Sequence, residues 1–401
     1  MGQLDVLVVD DSEVQRQFAL NLCRVVGVPR LRDASNGALA LEQLRQQTAD
    51  VVMVDLEMPV MDGVELIRHI AKETLARAII ILSSKDPVLI ASVGTMAEAD
   101  GLSVLGTFNK PLNEDLLRCG LKQLESVVKH KDSAKQAEEV TATEISHALQ
   151  ANHLTLHYQP KLTGKGMLLK GVEALARWHD PVKGNISPGQ FIAVAERHGL
   201  IDRLTRYLLE LALRQKQQWQ RRGVNFNLAF NLSPLSLADP TLVDWITQLT
   251  NLYGVAPNEI TLEVTENALL GELASSIQTL ARLRLKGFGV AIDDYGSGFA
   301  NAQQLSRVPA TELKIDRTLV HNVATRPQQR TILQNTVEMA HQLKLITVAE
   351  GVENRDDFDL LLQFNVELIQ GYFLAKPMAA DKLMQWMQTD LAQIRKDLRS
   401  H

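Results

Sequence analysis

Cysteine is nearly absent from this chain. Of 401 residues only Cys23 and Cys119 carry thiols, too few for a disulfide framework, and reduced thiols fit a cytoplasmic location. Long apolar runs are missing too. The longest purely aliphatic stretch, around Ala78 to Leu82, falls far short of the ~20 residues a membrane helix needs. The N-terminus, Met1-Gly2-Gln3-Leu4-Asp5, has neither the basic segment nor the apolar core of a secretory signal. Nor is there an excess of positive charge. The net charge is −5, which argues against a nucleic-acid partner. No sequence repeat of solenoid length is evident.

What is present is ordinary globular composition, 45 % apolar and 22 % charged, over a length that suits two or three domains. The acidity is uneven. Residues 1–120 hold 11 Lys+Arg against 17 Asp+Glu, a net of −6, and the remainder holds 31 against 30, a net of +1. A cation site and a solvated acidic surface both account for that asymmetry.

The first ~120 residues alternate apolar runs with helical patterns, as βα units do. Strands are predicted at Val6–Val9, Val51–Val54, Ile79–Leu82 and Val104–Phe108, with a weaker one near Leu31 and a helix over Gln15–Val26. The expected fold is α/β, a doubly wound five-strand parallel sheet with helices on both faces. Its strand ends deliver Asp10-Asp11, Asp55, Ser83 and Lys110 to one sheet edge, where such folds bind ligands. Three carboxylates suit a hard divalent cation. The plainer reading of Asp10-Asp11 alone is a helix N-cap pair.

The stretch Asp55-Leu56-Glu57-Met58-Pro59-Val60-Met61-Asp62-Gly63, with those strand ends, resembles the response-regulator receiver family over residues 4–121. The resemblance implies that Asp55 accepts a phosphoryl group from a cognate sensor histidine kinase. It implies further that Asp10, Asp11 and Asp55 hold one Mg2+ with the Glu57 carbonyl. Ser83 and Lys110 would contact the phosphoryl group. The physical logic is independent of the family: a carboxylate is a weak nucleophile, so a metal and a lysine must neutralise the incoming charge. Receivers commonly carry an aromatic three positions before the lysine. Here that position is Thr107, with Phe108 beside it, and the sign of phosphorylation control is open.

Residues ~112–150 read as helix, and the polar stretch Lys129–Glu139 as an exposed helical connector or a plain solvated linker. From His153 onward eight strand candidates follow, near Leu154–Tyr158, Gly171–Ala176, Leu228–Asn231, Ile260–Val264, Val290–Asp293, Glu312–Ile315, Thr347–Ala349 and Leu368–Ile369. Helical patterns such as Arg203–Gln220 and Ile332–Leu343 lie between them. Eight strands in about 250 residues match one β/α (TIM-like) barrel. The expected division is 1–121, 122–143 as helical linker, and 144–401.

Glu173, Asn231, Glu263, Asp293 with Asp294, Lys314 and Glu350 fall at or near the ends of these apolar runs. Their successive intervals, from Glu173 through Asn231, Glu263, Asp293 and Lys314 to Glu350, are 58, 32, 30, 21 and 36 residues. Most are near one βα unit, which would open all the side chains onto one barrel face. Any one of them alone reads as a structural ion-pair partner. Together they supply what metal-assisted phosphate-ester hydrolysis needs: shared oxygen ligands, a base and a cation. His157, His179 and His198 lack metal-ligand spacing.

The segments Tyr158-Gln159-Pro160-Lys161, Glu173-Ala174-Leu175-Ala176-Arg177-Trp178, Phe230-Asn231-Leu232-Ser233, Glu263-Val264-Thr265-Glu266, Asp293-Asp294-Tyr295-Gly296-Ser297-Gly298, Leu313-Lys314-Ile315-Asp316, Ala349-Glu350-Gly351-Val352-Glu353 and Gln370-Gly371-Tyr372-Phe373 resemble the EAL-domain cyclic di-GMP phosphodiesterases. Receiver plus EAL domain is the arrangement of RocR-type response regulators. The resemblance implies a cyclic-guanylate-specific phosphodiesterase that opens cyclic di-GMP to linear pGpG with two Mg2+ or Mn2+ ions. Glu173, Asn231, Glu263 and Asp293 would hold one ion. Asp293, Asp294 and Glu350 would bear on the second and on the attacking water, with Glu350 as base. Lys314 would orient that water or stabilise charge, Arg177 would pair with a substrate phosphate, and Gln159 and Gln370 would help seat the ligand. Glu266 would anchor the Asp293–Phe299 loop, which family members also use for contacts in a dimer or higher homo-oligomer.

That loop departs from pattern. The family usually has Tyr-Ser-Ser where this chain has Phe299-Ala300-Asn301, which puts dimer coupling in question more than catalysis. Two other functions compete: a non-catalytic cyclic di-GMP sensor and a protein-docking module. Both predict lost ligands, and the set is complete. No Gly-Gly-Asp-Glu-Phe motif occurs, which argues against synthesis of cyclic di-GMP.

Overall fold

The computed structural model describes residues 4–83, 87–110, 112–114, 117–118, 120–121, 140–266, 273–297 and 302–399. The connector Lys129–Glu139, Cys119 and the departure at Phe299-Ala300-Asn301 lie outside the described residues. Contacts divide the chain into two units, Met1–Glu138 and Glu139–His401.

In the first unit, β1 (Asp5–Val9), β2 (Arg30–Ala34), β3 (Ala49–Asp55), β4 (Ala76–Ser83) and β5 (Ser103–Asn109) form a parallel sheet in the order β2-β1-β3-β4-β5. The central strands are apolar on both faces because helices cover both. Leu7, Val9, Val52, Val54, Ile79 and Ile81 enter one core, while Val6, Val8, Val51, Met53, Ala78 and Ile80 enter the other. The outer strand β2 is charged and partly exposed, which explains its weak sequence signal. Helix Glu13–Val25 is capped by the Ser12 hydroxyl, which accepts from the Gln15 N–H. Asp10-Asp11 is therefore not the N-cap pair that the plainer reading offered. The Gly63 Cα presses on the end of β3: a Cβ there would lie 2.1 Å from the Asp55 carbonyl oxygen.

In the second unit, β6 (Leu154–Thr163), β7 (Leu169–Asp180), β8 (Gly184–Ile186), β9 (Asn227–Asn231), β10 (Ile260–Thr265), β11 (Gly289–Tyr295), β12 (Glu312–Ile315), β13 (Ile346–Ala349) and β14 (Leu368–Ile369) run in the order β6-β14-β13-β12-β11-β10-β9-β7-β8. Pairing of β6 with β7 closes eight of them into a barrel, with β8 appended as a hairpin edge. Helices such as Ile201–Arg221 and Pro327–Gln342 lie between strands. The former buries Leu204, Leu208, Ala212 and Trp219 along one stripe.

The barrel differs from a uniformly parallel one at a single strand. β6 is antiparallel to both β7 and β14. The cause is the short connection between Thr163 and Leu169, long enough for a hairpin but not for the crossover of a dozen or more residues that parallel neighbours require. β6 consequently crosses the rim in the opposite direction, yet register sets Gln159 directly opposite Glu173. No helix among the described residues is long and apolar enough to cross a membrane.

Candidate active site

The barrel rim assembles the site from adjacent strands. Asn231 pairs in register with Glu263, and Thr265 with Asp293. Glu173 lies within the long strand β7 rather than at its end, but β7 pairs with β9 only over Gly171–Ala174, so Glu173 still stands at the rim. Asp293 and Asp294 are consecutive, and on a regular strand they would face opposite ways. The β11–β12 register shifts between Ile292 and Tyr295, and Asp294 adopts φ 57°, in the left-handed region. This bulge turns both carboxylates to one side.

At the centre is the Lys314 ammonium, 1 % exposed. Its Nζ donates to Glu263 Oε2 at 2.7 Å and lies 2.9 Å from Asp293 Oδ1, 2.8 Å from Glu350 Oε1 and 3.6 Å from Glu173 Oε2. The remaining polar groups brace the carboxylates. Asn231 Nδ2 donates to Glu173 Oε1 (2.8 Å), and Gln370 Nε2 donates to Glu173 Oε2 (2.7 Å) and Gln159 Oε1 (3.1 Å). Gln159 Nε2 in turn donates to the Ala375 carbonyl (3.1 Å). Both glutamines are buried. The pair assigned by sequence to the ligand thus also orients Glu173. The Glu266 carboxylate, 1 % exposed, accepts from the Gly296 N–H at 2.9 Å, tying the loop after Asp294 to the end of β10. The half-buried Arg177 guanidinium donates to its neighbour's carbonyl, Ala176 O, at 2.8 Å.

Electrostatically the site is overloaded with negative charge. Burial, against the pull of Lys314 and with a push from Glu173, drives Glu263 up to about 8. Burial and the Asp293 charge push Asp294 up to about 6. Burial also holds Glu350 well above the carboxylate range, against Lys314. Glu173 falls below its ordinary value because Lys314 and the Gln370 and Asn231 amides outweigh its burial. Lys314 is held well above the usual range by its carboxylates, although burial opposes it.

A divalent cation fits this donor set. Glu173, Glu263 and Asp293 each bring an oxygen within 4.8 Å of one another, as do Asp293, Asp294 and Glu350. Asp293 belongs to both triads, the arrangement a bridging carboxylate needs. Glu350 Oε1 and Gln370 Oε1 are buried without a hydrogen bond; the 2.8 Å approach of Lys314 to Glu350 is a charge contact lacking hydrogen-bond alignment. All-oxygen ligands suit Mg2+ or Mn2+. The histidines set aside earlier stay outside both groups. Beside the rim opens a cavity of about 320 Å3, lined by Leu156, Ala174, Leu204, Leu208 and Phe230 with Arg177 and Asn231 at its polar side.

The sequence reading gave no role to Lys161 or Glu312. Both are buried beneath the site, where Lys161 Nζ reaches Glu263 Oε1 at 3.3 Å and Glu312 Oε2 at 3.4 Å. Lys161 appeared in a quoted motif, but only the strand register brings it under Glu263.

In the first unit, Lys110 Nζ bridges Asp10 Oδ2 (2.7 Å) and Asp55 Oδ2 (2.8 Å). Asp10, Asp11 and Asp55 form a third oxygen cluster, with Asp11 exposed and Ser83 buried nearby on β4. Burial raises the Asp55 carboxyl above its ordinary value, opposed by Lys110 and by the Glu57 N–H. Phe108 packs into the core containing Val6 and Val8. Thr107 is exposed, with its Cγ2 2.9 Å from where a Cβ on Gly94 would stand. Phe108 therefore does not stand in for the missing aromatic at Thr107.

Two acidic sites, one at a doubly wound sheet edge beside a bridging lysine and one at a barrel rim, define a receiver-coupled barrel protein of the EAL class. The family model described as response regulator receiver domain matches residues 6–122, and that described as EAL domain matches residues 142–377. The chain belongs to the EAL domain family and carries a receiver domain ahead of it. It is 30 % identical over 390 residues to the cyclic di-GMP phosphodiesterase RocR of Pseudomonas aeruginosa, spanning 96 % of this chain and 99 % of that protein. It is 37 % identical over 242 residues to MucR of the same organism, a bifunctional diguanylate cyclase/cyclic di-GMP phosphodiesterase, covering 60 % of this chain and 35 % of MucR. Among solved structures, a cyclic di-GMP complex of the MucR phosphodiesterase aligns with TM-score 0.58 at 37 % identity, covering 60 % of this chain and 98 % of that one.

Proposed function

We propose that the barrel hydrolyses cyclic di-GMP to linear pGpG and that phosphorylation of Asp55 controls it. The observation that carries this reading is the pair of carboxylate triads sharing Asp293, around a lysine buried among four carboxylates. Glu173, Asn231, Glu263 and Asp293 hold one divalent cation, and Asp293, Asp294 and Glu350 the second; Asn231 and Gln370 keep Glu173 aimed inward. When bound, Mg2+ or Mn2+ supplies a nucleophile at neutral pH and neutralises charge on the phosphodiester.

The protein's own groups do the rest. Glu350, whose carboxylate carries an oxygen without a hydrogen bond, accepts the proton of the attacking water. Lys314, 2.8 Å away, orients that water and offsets the charge developing on phosphorus. Arg177, one of the residues lining the apolar cavity, pairs with a substrate phosphate through its planar donor fork. The Gln370 oxygen left without a partner and Gln159 seat the ligand. Glu266 holds the loop that carries Asp294. In the first unit, Asp55 takes the phosphoryl group from a sensor histidine kinase; Asp10 and Asp11 share a Mg2+ with it, and Lys110 and Ser83 contact the group. Residues 1–121, 122–143 and 144–401 serve as receiver, linker and phosphodiesterase, and the protein works as a homo-oligomer, dimeric or larger.

Product chromatography of purified protein with cyclic di-GMP and Mg2+ tests the reading, with and without beryllofluoride as the Asp55 phosphoryl mimic. Appearance of pGpG is the expected result. Ligand binding without turnover in metal-loaded protein would instead make the barrel a sensor.

A further inference from the structure

Below the rim, three strands each repeat a polar residue two positions further down. Gln159 is followed by Lys161 on β6, Glu263 is preceded by Thr261 on β10, and Lys314 is preceded by Glu312 on β12. Side chains two apart on a strand share a face, so a second polar layer lies under the first where a barrel ordinarily packs branched apolar residues. Lys161 and Thr261 are each 1 % exposed, and Glu312 9 %. Lys161 spans Glu263 Oε1 and Glu312 Oε2 at 3.3 and 3.4 Å, and the other Glu312 oxygen accepts from Thr261 Oγ1 at 3.2 Å.

The two oxygens of Glu263 thus have separate partners. Oε2 faces the site and meets Lys314, while Oε1 faces down and meets Lys161. A fully buried carboxylate with one oxygen unpartnered would be costly and free to rotate. A lysine beneath it without a counter-charge would be an uncompensated buried cation. Glu312 supplies that counter-charge, making the lower layer neutral.

We propose that Lys161, neutralised by Glu312, is a positioning residue for the cation site: it grips the far oxygen of Glu263 from beneath and so aims the near oxygen at the bound metal. This rests on the reading that Glu263 holds a divalent cation. Hydrogen-bonded partners behind a ligating carboxylate are worth about 10–100-fold in metal affinity, which sets the expected size of the effect.

The test titrates Mn2+ calorimetrically into chelator-treated full-length protein carrying Asp10→Ala and Asp11→Ala, so that only the barrel takes up metal, and follows thermal unfolding in parallel. Lys161→Met should weaken Mn2+ binding by about 10–100-fold and lower Tm, because Glu312 loses its counter-charge. Lys161→Met with Glu312→Met replaces the ion pair by apolar packing, which should restore Tm but leave Mn2+ binding weak. If Mn2+ affinity returns together with Tm, the pair is only structural and the proposal falls. Should the double variant fold poorly, Lys161→Gln removes the charge and shortens the side chain, so that it can no longer span Glu263 and Glu312. A weakened affinity then supports the proposal, and wild-type affinity overturns it. Failure of the parent protein to take up Mn2+ at all would instead sink the underlying metal-site reading.

Discussion

At the scale of single residues, the sharpest test falls on Glu350, the proposed base. It touches Lys314 without a hydrogen bond, and burial keeps its carboxyl well above the usual range. Glu350→Gln keeps the shape and removes the proton acceptor. The turnover number should fall by about 10²- to 10⁴-fold with KM nearly unchanged, read from single-turnover release of pGpG; an unaltered kcat would remove Glu350 as the base. Cys23 makes a contrasting prediction. Burial pushes its thiol up to about 12, so its peptide should stay unmodified by iodoacetamide at neutral pH in native protein and become labelled on unfolding. The side chains that meet at the rim could be picked out in the sequence because they stand at or near the ends of apolar runs. Lys161 and Glu312 could not, because nothing in a strand run says which side chains meet across the barrel. Asp294 was named from the sequence, but its facing the same way as Asp293 depends on a bulge and a left-handed backbone that no side-chain pattern announces.

At the scale of elements, turns and connections decide whether the site closes. The segment after β14 passes so near the segment after β13 that a Cβ on Gly371 would lie 2.2 Å from Val352 O and 2.3 Å from Val352 N. Backbone cannot yield as a side-chain tip can. Gly371→Ala should destabilise the barrel by about 1–3 kcal/mol and draw Gln370 away from Glu173, lowering both Tm by calorimetry and activity. At the start of the same two strands, Glu367 accepts from the Thr347 N–H at 3.0 Å and from its hydroxyl, with His341 3.0 Å away. Burial raises this carboxyl, but these partners outweigh it and hold it below its ordinary 4.5. The stability it adds is complete above that pH and is lost as pH falls through the folded value. Wild type should therefore lose Tm more steeply on acidification than Glu367→Gln, and parallel curves would exclude the contribution. The antiparallel β6 was not legible from the predicted strands, whose ends at Tyr158 and Gly171 leave room for a crossover; the observed strands run on to Thr163 and back from Leu169, and only that shortens the connection to a hairpin. Attention to the apolar runs alone hid it.

At the scale of the whole molecule, the chain carries two units with separate cores, one spread over both faces of the receiver sheet and the other filling the barrel unit. Their acidic clusters are separate as well. Composition had shown half of this, since the acidity is concentrated before residue 120 while the barrel's carboxylates are masked by an equal number of basic residues elsewhere in that unit. Like charges gathered at a site cost stability until a cation joins them, and a ligand that binds only the folded state stabilises it by about 2.7 kcal/mol at 100 times its Kd. Calorimetry in chelator should accordingly resolve two unfolding transitions, and Mn2+ should raise both. Asp10→Ala should abolish the shift of the receiver transition alone, and Glu263→Gln that of the barrel alone, with the replaced groups far apart in sequence and in different cores. If either substitution removed both shifts, the two sites would be energetically one, and the proposed division of the molecule into a phosphorylated controller and a metal-dependent barrel would have to be redrawn around a shared unfolding unit.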